Sequence, residues 1–276
     1  MKAIFYLFSG FFIGMGQILP MSPQAHEKLL NFMAEFDSQQ YFLQFLCHTA
    51  CLAAIWICLR HRIAHLFREL RLFSKPARQR RRAPDLETVL DGKFLLTASI
   101  PMLLLLLFRN RAFHSVDSIP VLTFLLTVSG IILYLPQFSR SANRDGRHMS
   151  RKDSLWLGIC VGLSCVPGLS GVGIALSICS LRGMDKRYAL ESVLLLSIPA
   201  LLLWILMDLW GLLSAGLDVI TLTSLLFSLL AATAAFFSSW ICVFVMRFLA
   251  VNTGYGKFAY YNWGLAIFGF ILYLMV

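Results

Sequence analysis

Six apolar stretches, 40–59, 92–108, 119–136, 188–210, 219–246 and 258–276, are each long enough to cross a bilayer as a helix. A hydrocarbon layer about 30 Å thick takes roughly 20 helical residues, and only backbone that satisfies its own N–H and C=O groups can stay in it. The 276 residues are 58% hydrophobic and 14% charged, with mean hydropathy +0.74. A soluble domain carries about 25% charged residues, so soluble and disordered classes are excluded. The chain reads as an all-α integral membrane protein.

The net charge of +10 is a topology signal rather than a nucleic-acid footprint, because the basic residues gather between the apolar stretches. One run holds Arg60, Arg62, Arg68, Arg71, Lys75, Arg78, Arg80, Arg81 and Arg82, within a basic loop assigned to 60–91; a second holds Arg140, Arg144, Arg147, Arg151 and Lys152. Lys and Arg favour the cytoplasmic side, so 60–84, 137–153, 182–187 and 247–257 all belong there. This works only if 155–181 enters and leaves by one face, as a re-entrant hairpin.

Two apolar segments contain helix-breaking turns: Gly14-Met15-Gly16-Gln17-Ile18-Leu19-Pro20-Met21-Ser22-Pro23-Gln24-Ala25-His26, and Gly162-Leu163-Ser164-Cys165-Val166-Pro167-Gly168-Leu169-Ser170-Gly171-Val172-Gly173. Inside a membrane such backbone is tolerated only where protein buries it or where it lines a wet cavity. The expected architecture is six transmembrane helices plus two re-entrant helical hairpins, in two inverted-topology repeats: hairpin 3–35 with three spans (1–136), and hairpin 155–181 with three spans (155–276); symmetry favours the first hairpin, while the charge pattern equally allows 3–19 to cross once, followed by a surface helix. Broken segments in both halves of a chain point to a binding site between them. The N-terminal apolar run ends in Leu-Pro-Met-Ser without a small-x-small cleavage site and reads as retained.

The seven cysteines lie in apolar segments and read as small apolar filling. Cys47, His48 and Cys51 share helical spacing but lack a second ligand pair, so no metal site is assigned. Glu27 reads as a helix-start acid. Ser-Ile-Pro at 99–101 and 197–199 predicts two Pro-kinked helices.

At the two turns the chain resembles the undecaprenyl-pyrophosphate phosphatase family of the bacitracin-resistance type. That family's first motif, Glu-Gly-x-Thr-Glu-Phe-Leu-Pro-x-Ser-Ser-x-Ala/Gly-His, falls on 13–26, with Gly14, Leu19, Pro20, Ser22, Ala25 and His26 matching. Its second, Pro-Gly-x-Ser-Arg-Ser-Gly-x-Thr, falls on 167–175, with Pro167, Gly168, Ser170 and Gly173 matching. Phe258-Ala259-Tyr260-Tyr261 looks like the closing Phe-x-x-Tyr-Arg segment.

The motif charges are absent. The two family glutamates fall on Ile13 and Gln17, the arginine on Gly171, the second serine of that motif on Val172, the threonine on Ala175 and the C-terminal arginine on Asn262. In the family, the resemblance implies, the glutamates hold a divalent cation or move protons while the arginine clamps phosphate. Hydrolysis of a diphosphate needs cations for the charge that develops and an activated nucleophile. No Asp or Glu occurs in 1–26, and no charged residue in 155–181.

The resulting expectation is a protein that binds or translocates a polyprenyl phosphate or diphosphate lipid without cleaving it. An active phosphatase is one alternative; a small-anion transporter or envelope scaffold is another. Gln17, Ser22, His26, Gly168, Ser170, Gly171, Gly173 and Asn262 are the expected substrate contacts, with His26 and Ser170 catalytic only if the protein hydrolyses. No metal or other cofactor is assigned. The expected partners are the lipid and the bilayer, not nucleic acid, and a homodimer is allowed. The expected location is the bacterial cytoplasmic (inner) membrane.

Overall fold

The computed structural model describes residues 2–34, 41–80, 82–138, 144, 149–216 and 220–275. Much of the second basic segment, 139–143 and 145–148, lies outside the described residues, as does residue 35 of the first expected hairpin. Every α-helix carries its own hydrogen bonds, and the described residues are helical almost throughout. In chain order they are α1 (Lys2–Gly16), α2 (Pro23–Ala34), α3 (Tyr41–Ser74), α4 (Leu86–Leu106), α5 (Arg109–Ser115), α6 (Ile119–Tyr134), α7 (Arg151–Gly162), α8 (Gly171–Leu181), α9 (Lys186–Ala215), α10 (Leu222–Asn252) and α11 (Phe258–Met275). Among them α3, α4, α6 with the 3₁₀ turn that continues it, α9, α10 and α11 are long and apolar enough to span a membrane.

Expected boundaries need correction at the first basic segment. Residues 60–74 are not a loop, because α3 runs unbroken to Ser74. Arg60, Arg62, Arg68 and Arg71 ride on this helix, whose Leu59, Ile63 and Glu69 are buried. The chain then folds back. Glu69 accepts hydrogen bonds from the Arg82 guanidinium and, at 3.0 Å, from the Asp85 N–H. Asp85 caps α4 by accepting from the Glu87 N–H. A run of positive charge suggested solvated coil; the apolar residues at helical spacing among those arginines outweigh it. The second broken segment also starts earlier than expected, at Arg151, where Ser150 and Asp153 form a capping box.

Both Ser-Ile-Pro sequences lie within helices, Pro101 in α4 and Pro199 in α9. Ser99 and Ser197 each donate to the carbonyl one turn back, Leu95 O and Val193 O.

The two broken segments pack alike. Helix α1 lies along α10 and α7 along α4. A Cβ on Gly10 would overlap the Ala231 carbonyl, and one on Gly14 the Ala235 carbonyl; a Cβ on Gly158 would overlap the Ala98 carbonyl, and one on Gly162 the Leu105 side chain. Each contact is a glycine pair four residues apart, the spacing that lets membrane helices approach backbone to backbone. Serine hydroxyls fasten both contacts: Ser239 donates to Gly14 O at 2.9 Å, and Ser154 to Phe94 O. The same separation, 148 residues, relates Gly10 to Gly158, Gly14 to Gly162 and Ser22 to Ser170.

Candidate functional site

Each broken segment leaves its first helix, turns through a Pro-containing apolar loop and restarts on a serine. Ser22 accepts from the Ala25 N–H at 3.4 Å and Ser170 from the Gly173 N–H at 3.0 Å. Side-chain oxygens of this kind satisfy N–H groups that a helix start leaves free. The two tips touch: the Gly168 N–H donates to Ser22 Oγ at 3.0 Å. Gly168 has φ +91°, and a Cβ there would press on Leu125 and the Leu122 carbonyl of α6. Only glycine suits both the backbone angle and the space. The Ser170 N–H donates to Ser129 Oγ of α6 at 3.2 Å.

His26 lies against the same junction. Its Nδ1 is 2.7 Å from the Ser22 carbonyl oxygen, which can only accept, so Nδ1 carries the proton. Its Nε2 is 2.6 Å from the Tyr261 hydroxyl. With the imidazole neutral, Nε2 accepts that bond and is the basic nitrogen of the site. The ring stacks on Phe12, with centroids 4.6 Å apart, and lies near-parallel to the Tyr261 ring at 5.8 Å. Asn262 Nδ2 donates to the Pro20 and Phe258 carbonyls at 3.0 and 2.9 Å. Ser22, His26, Ser170 and Asn262 are all buried. Gln17 Nε2 and Asn262 Oδ1 are buried without hydrogen-bond partners, and a buried polar atom left so needs a ligand, a water or a functional reason.

All eight sequence-derived contact residues therefore sit on the two tips or on α11 beside them, but they do not contribute alike. Gly171 and Gly173 are packing residues, and Gly173 is also a backbone donor, to Ser170 Oγ. A Cβ on Gly171 would overlap the Val161 carbonyl and Ser164, and one on Gly173 would sit 3.1 Å from Pro20 Cβ. The position that carries arginine in the family is thus closed to any side chain here. The donor set at the first motif, Ile13 and Gln17, does not fit a hard divalent cation, which takes several oxygen ligands and favours carboxylates. Among the described residues no group of three or more His, Cys, Asp or Glu is placed to hold a metal.

Charges do reach this end of the protein, from outside the motifs. Arg109 on α5 is buried and donates through Nη1 to Asp208 Oδ1 of α9 at 2.8 Å and through Nη2 to Gln44 Oε1 of α3. Gln44 Nε2 donates to Glu27 Oε1 at 2.6 Å. His48 Nδ1 lies 2.6 Å from the other Asp208 oxygen. The guanidinium covers the Trp204 ring, 4.9 Å from its centroid. This network abuts the tips on both sides. Glu27 follows His26 on α2, and α5 lies against the Leu163–Cys165 turn that leads to Pro167. Glu27 is therefore a buried network member rather than a simple helix-start acid, and His48 is a hydrogen-bond partner of Asp208. One signal could have found the network: an ionisable residue inside a membrane span, such as Asp208, marks a functional or paired site by default.

Together these features define a polytopic helical membrane protein with a buried polar junction between two broken segments. The chain belongs to the bacitracin resistance protein BacA family, whose family model matches residues 6–268. It is similar to the undecaprenyl-diphosphatase of Halothermothrix orenii, 25% identical over 268 residues and 96% of both chains. The corresponding protein of Methanobrevibacter smithii is 26% identical over 279 residues, 95% of this chain and 93% of the relative. That of Synechococcus elongatus is 27% identical over 235 residues, 80% of each.

Proposed function

We propose that this chain binds the diphosphate head group of a polyprenyl carrier lipid where the Ser22 and Ser170 tips meet, and hydrolyses it to the monophosphate. This replaces binding without cleavage as the leading reading. Near-full-length likeness to proteins named undecaprenyl-diphosphatase supports it. The observation that carries it is the junction itself: Gly168 N–H on Ser22 Oγ at 3.0 Å, with the basic Nε2 of His26 alongside.

The roles follow from the groups present. The first N–H groups of α8, with the helix dipole behind them, face a phosphoryl oxygen. The Ser22 oxygen accepts two N–H bonds, so its own O–H is left to donate to phosphate. Water gives a proton to the Tyr261 hydroxyl as that hydroxyl passes its own to His26 Nε2, whose lone pair it already occupies, and the water oxygen bonds to the terminal phosphorus. The bridging P–O bond breaks toward the lipid monophosphate, and inorganic phosphate leaves. Tyr261 and the Ser22 carbonyl hold the imidazole in the required tautomer. In our reading the two halves, 1–136 and 155–276, are inverted repeats whose broken segments are re-entrant, in a bacterial cytoplasmic membrane. The matched glycine contacts of α1 on α10 and α7 on α4 support this.

Binding or translocation of the lipid without cleavage is the second reading. It is favoured by one observation, the absence of any acid or guanidinium on the tips themselves. Release of inorganic phosphate from undecaprenyl diphosphate by the purified protein separates the two. The first reading expects release, lost in His26→Ala, and rescue of cells depleted of all such phosphatases. No release by a folded preparation that still binds or scrambles the C55 monophosphate in liposomes supports the second and rejects the first.

A further inference from the structure

The buried network around Arg109 is larger than a structural ion pair requires, and it is incompletely satisfied. Beneath the guanidinium, the Trp204 indole N–H is buried with no hydrogen-bond partner. Trp204 is 4% exposed. On α2, Gln24 stands one turn before Glu27, on the same side of the helix, and its amide nitrogen and oxygen are both buried without partners. An orphaned donor next to a cation, as the Trp204 N–H is next to Arg109, is what a site for a multiply charged oxyanion looks like before the anion arrives.

Arg109 is also the guanidinium that the tips lack. It hangs from α5, which touches the turn into the second tip, and it reaches through Gln44 to Glu27, the neighbour of His26. Its two acceptors are an Asp208 oxygen and the Gln44 amide oxygen, a pair that a phosphate could replace in part, since guanidinium pairs with carboxylate and phosphate in the same forked geometry.

We propose that Arg109, with the Trp204 N–H, forms the charged half of the head-group site and binds the second phosphate of a prenyl diphosphate, which the neutral serine tips alone do not distinguish from a monophosphate. This rests on the reading above that the tips hold the first phosphate. Asp208 and Gln44 keep the guanidinium oriented in the meantime.

The test measures binding of farnesyl diphosphate, farnesyl monophosphate and inorganic pyrophosphate to the full chain in detergent or nanodiscs. Incorporating β-(3-benzothienyl)alanine in place of Trp204 keeps the fused bicyclic ring and removes only an N–H that has no protein partner. It should weaken farnesyl diphosphate about tenfold, the effect of one charge-assisted hydrogen bond, and leave the monophosphate and the thermal midpoint unchanged. The double variant Arg109→Gln/Asp208→Asn removes both charges together. It should weaken the diphosphate about thirtyfold or more while the monophosphate changes about threefold or less. Pyrophosphate competing as well as farnesyl diphosphate would identify the head group alone as the ligand; competition by the prenylated form only would identify the lipid.

Equal losses for mono- and diphosphate, or none in either variant, overturn the proposal and make the network a strut. If the unmodified protein releases phosphate while both variants bind as before, only this proposal falls. If it binds no prenyl diphosphate at all, the functional reading falls with it.

Discussion

The polar groups buried near this end of the molecule form two regions built on opposite principles. The junction of Ser22, Gly168, Ser170 and His26 is neutral, made mostly of backbone N–H groups and hydroxyls, and assembled from two short continuous motifs. The network of Glu27, Gln44, His48, Arg109 and Asp208 is charged and drawn from four helices. A neutral junction tolerates burial because most of its groups find partners in one another and in α6 and α11, with no ion to desolvate. A buried ion network holds only while all of its members are present, since one stranded charge costs more than the pair contributes. The comparison shows that charge missing from motif positions can be supplied from elsewhere in the chain, at the cost of cooperativity among distant segments.

The sharpest way to break the comparison is Arg109→Gln alone. It leaves Asp208 buried against His48 without its guanidinium and should cost about 3–5 kcal/mol, seen as a large drop in the thermal midpoint in detergent. The double variant with Asp208→Asn should recover most of that loss. If the single variant is as stable as the parent, the network is not the cooperative unit described.

Next in size, Gly171→Arg restores the family's residue at the second tip. Its side chain has no room beside Val161 and Ser164. The substitution should destabilise by about 1–3 kcal/mol through overpacking and should not raise phosphate release. A stable variant with higher activity would show that the tip can open around a side chain, and that its neutrality is not built into the packing.

The smallest effect belongs to Tyr261→Phe, which removes one partner from His26 Nε2 and leaves the ring stack in place. Loss of a single hydrogen bond should cost about 0.5–1.5 kcal/mol in stability. In the junction as described, kcat should fall more than KM rises, because the proton relay to His26 Nε2 is broken. A change confined to KM would move Tyr261 from holding the histidine to holding the lipid.

Much of the fold was legible in the sequence for a plain reason. A span advertises itself by length and hydropathy, and the turns at Pro20 and Pro167-Gly168 by their breakers. His26, Ser22 and Ser170 could be named because each sits within a few residues of such a break. The misread stretch, 60–74, shows where the signal fails: charge density suggested coil, while Ile63, Leu66 and Leu70 kept helical spacing beneath it. Glu27 and His48 were visible but read singly, as a helix-start acid and as a cysteine neighbour. Nothing local ties Glu27 to residue 44, or Arg109 to a residue 99 positions away.

By itself, then, the sequence determined that this chain lives in a membrane, which six helices are long and apolar enough to cross it, where its helices break and that the motif charges are gone. Those properties are set within windows of some 20 residues by hydropathy and backbone chemistry. Only the tertiary structure decided that the two serine tips touch, that Gly171 has no room for a side chain and that Arg109, Asp208 and Glu27 gather beside the junction. Burial of a charge is settled by which helices meet, and that is a property of the packed assembly rather than of any one segment.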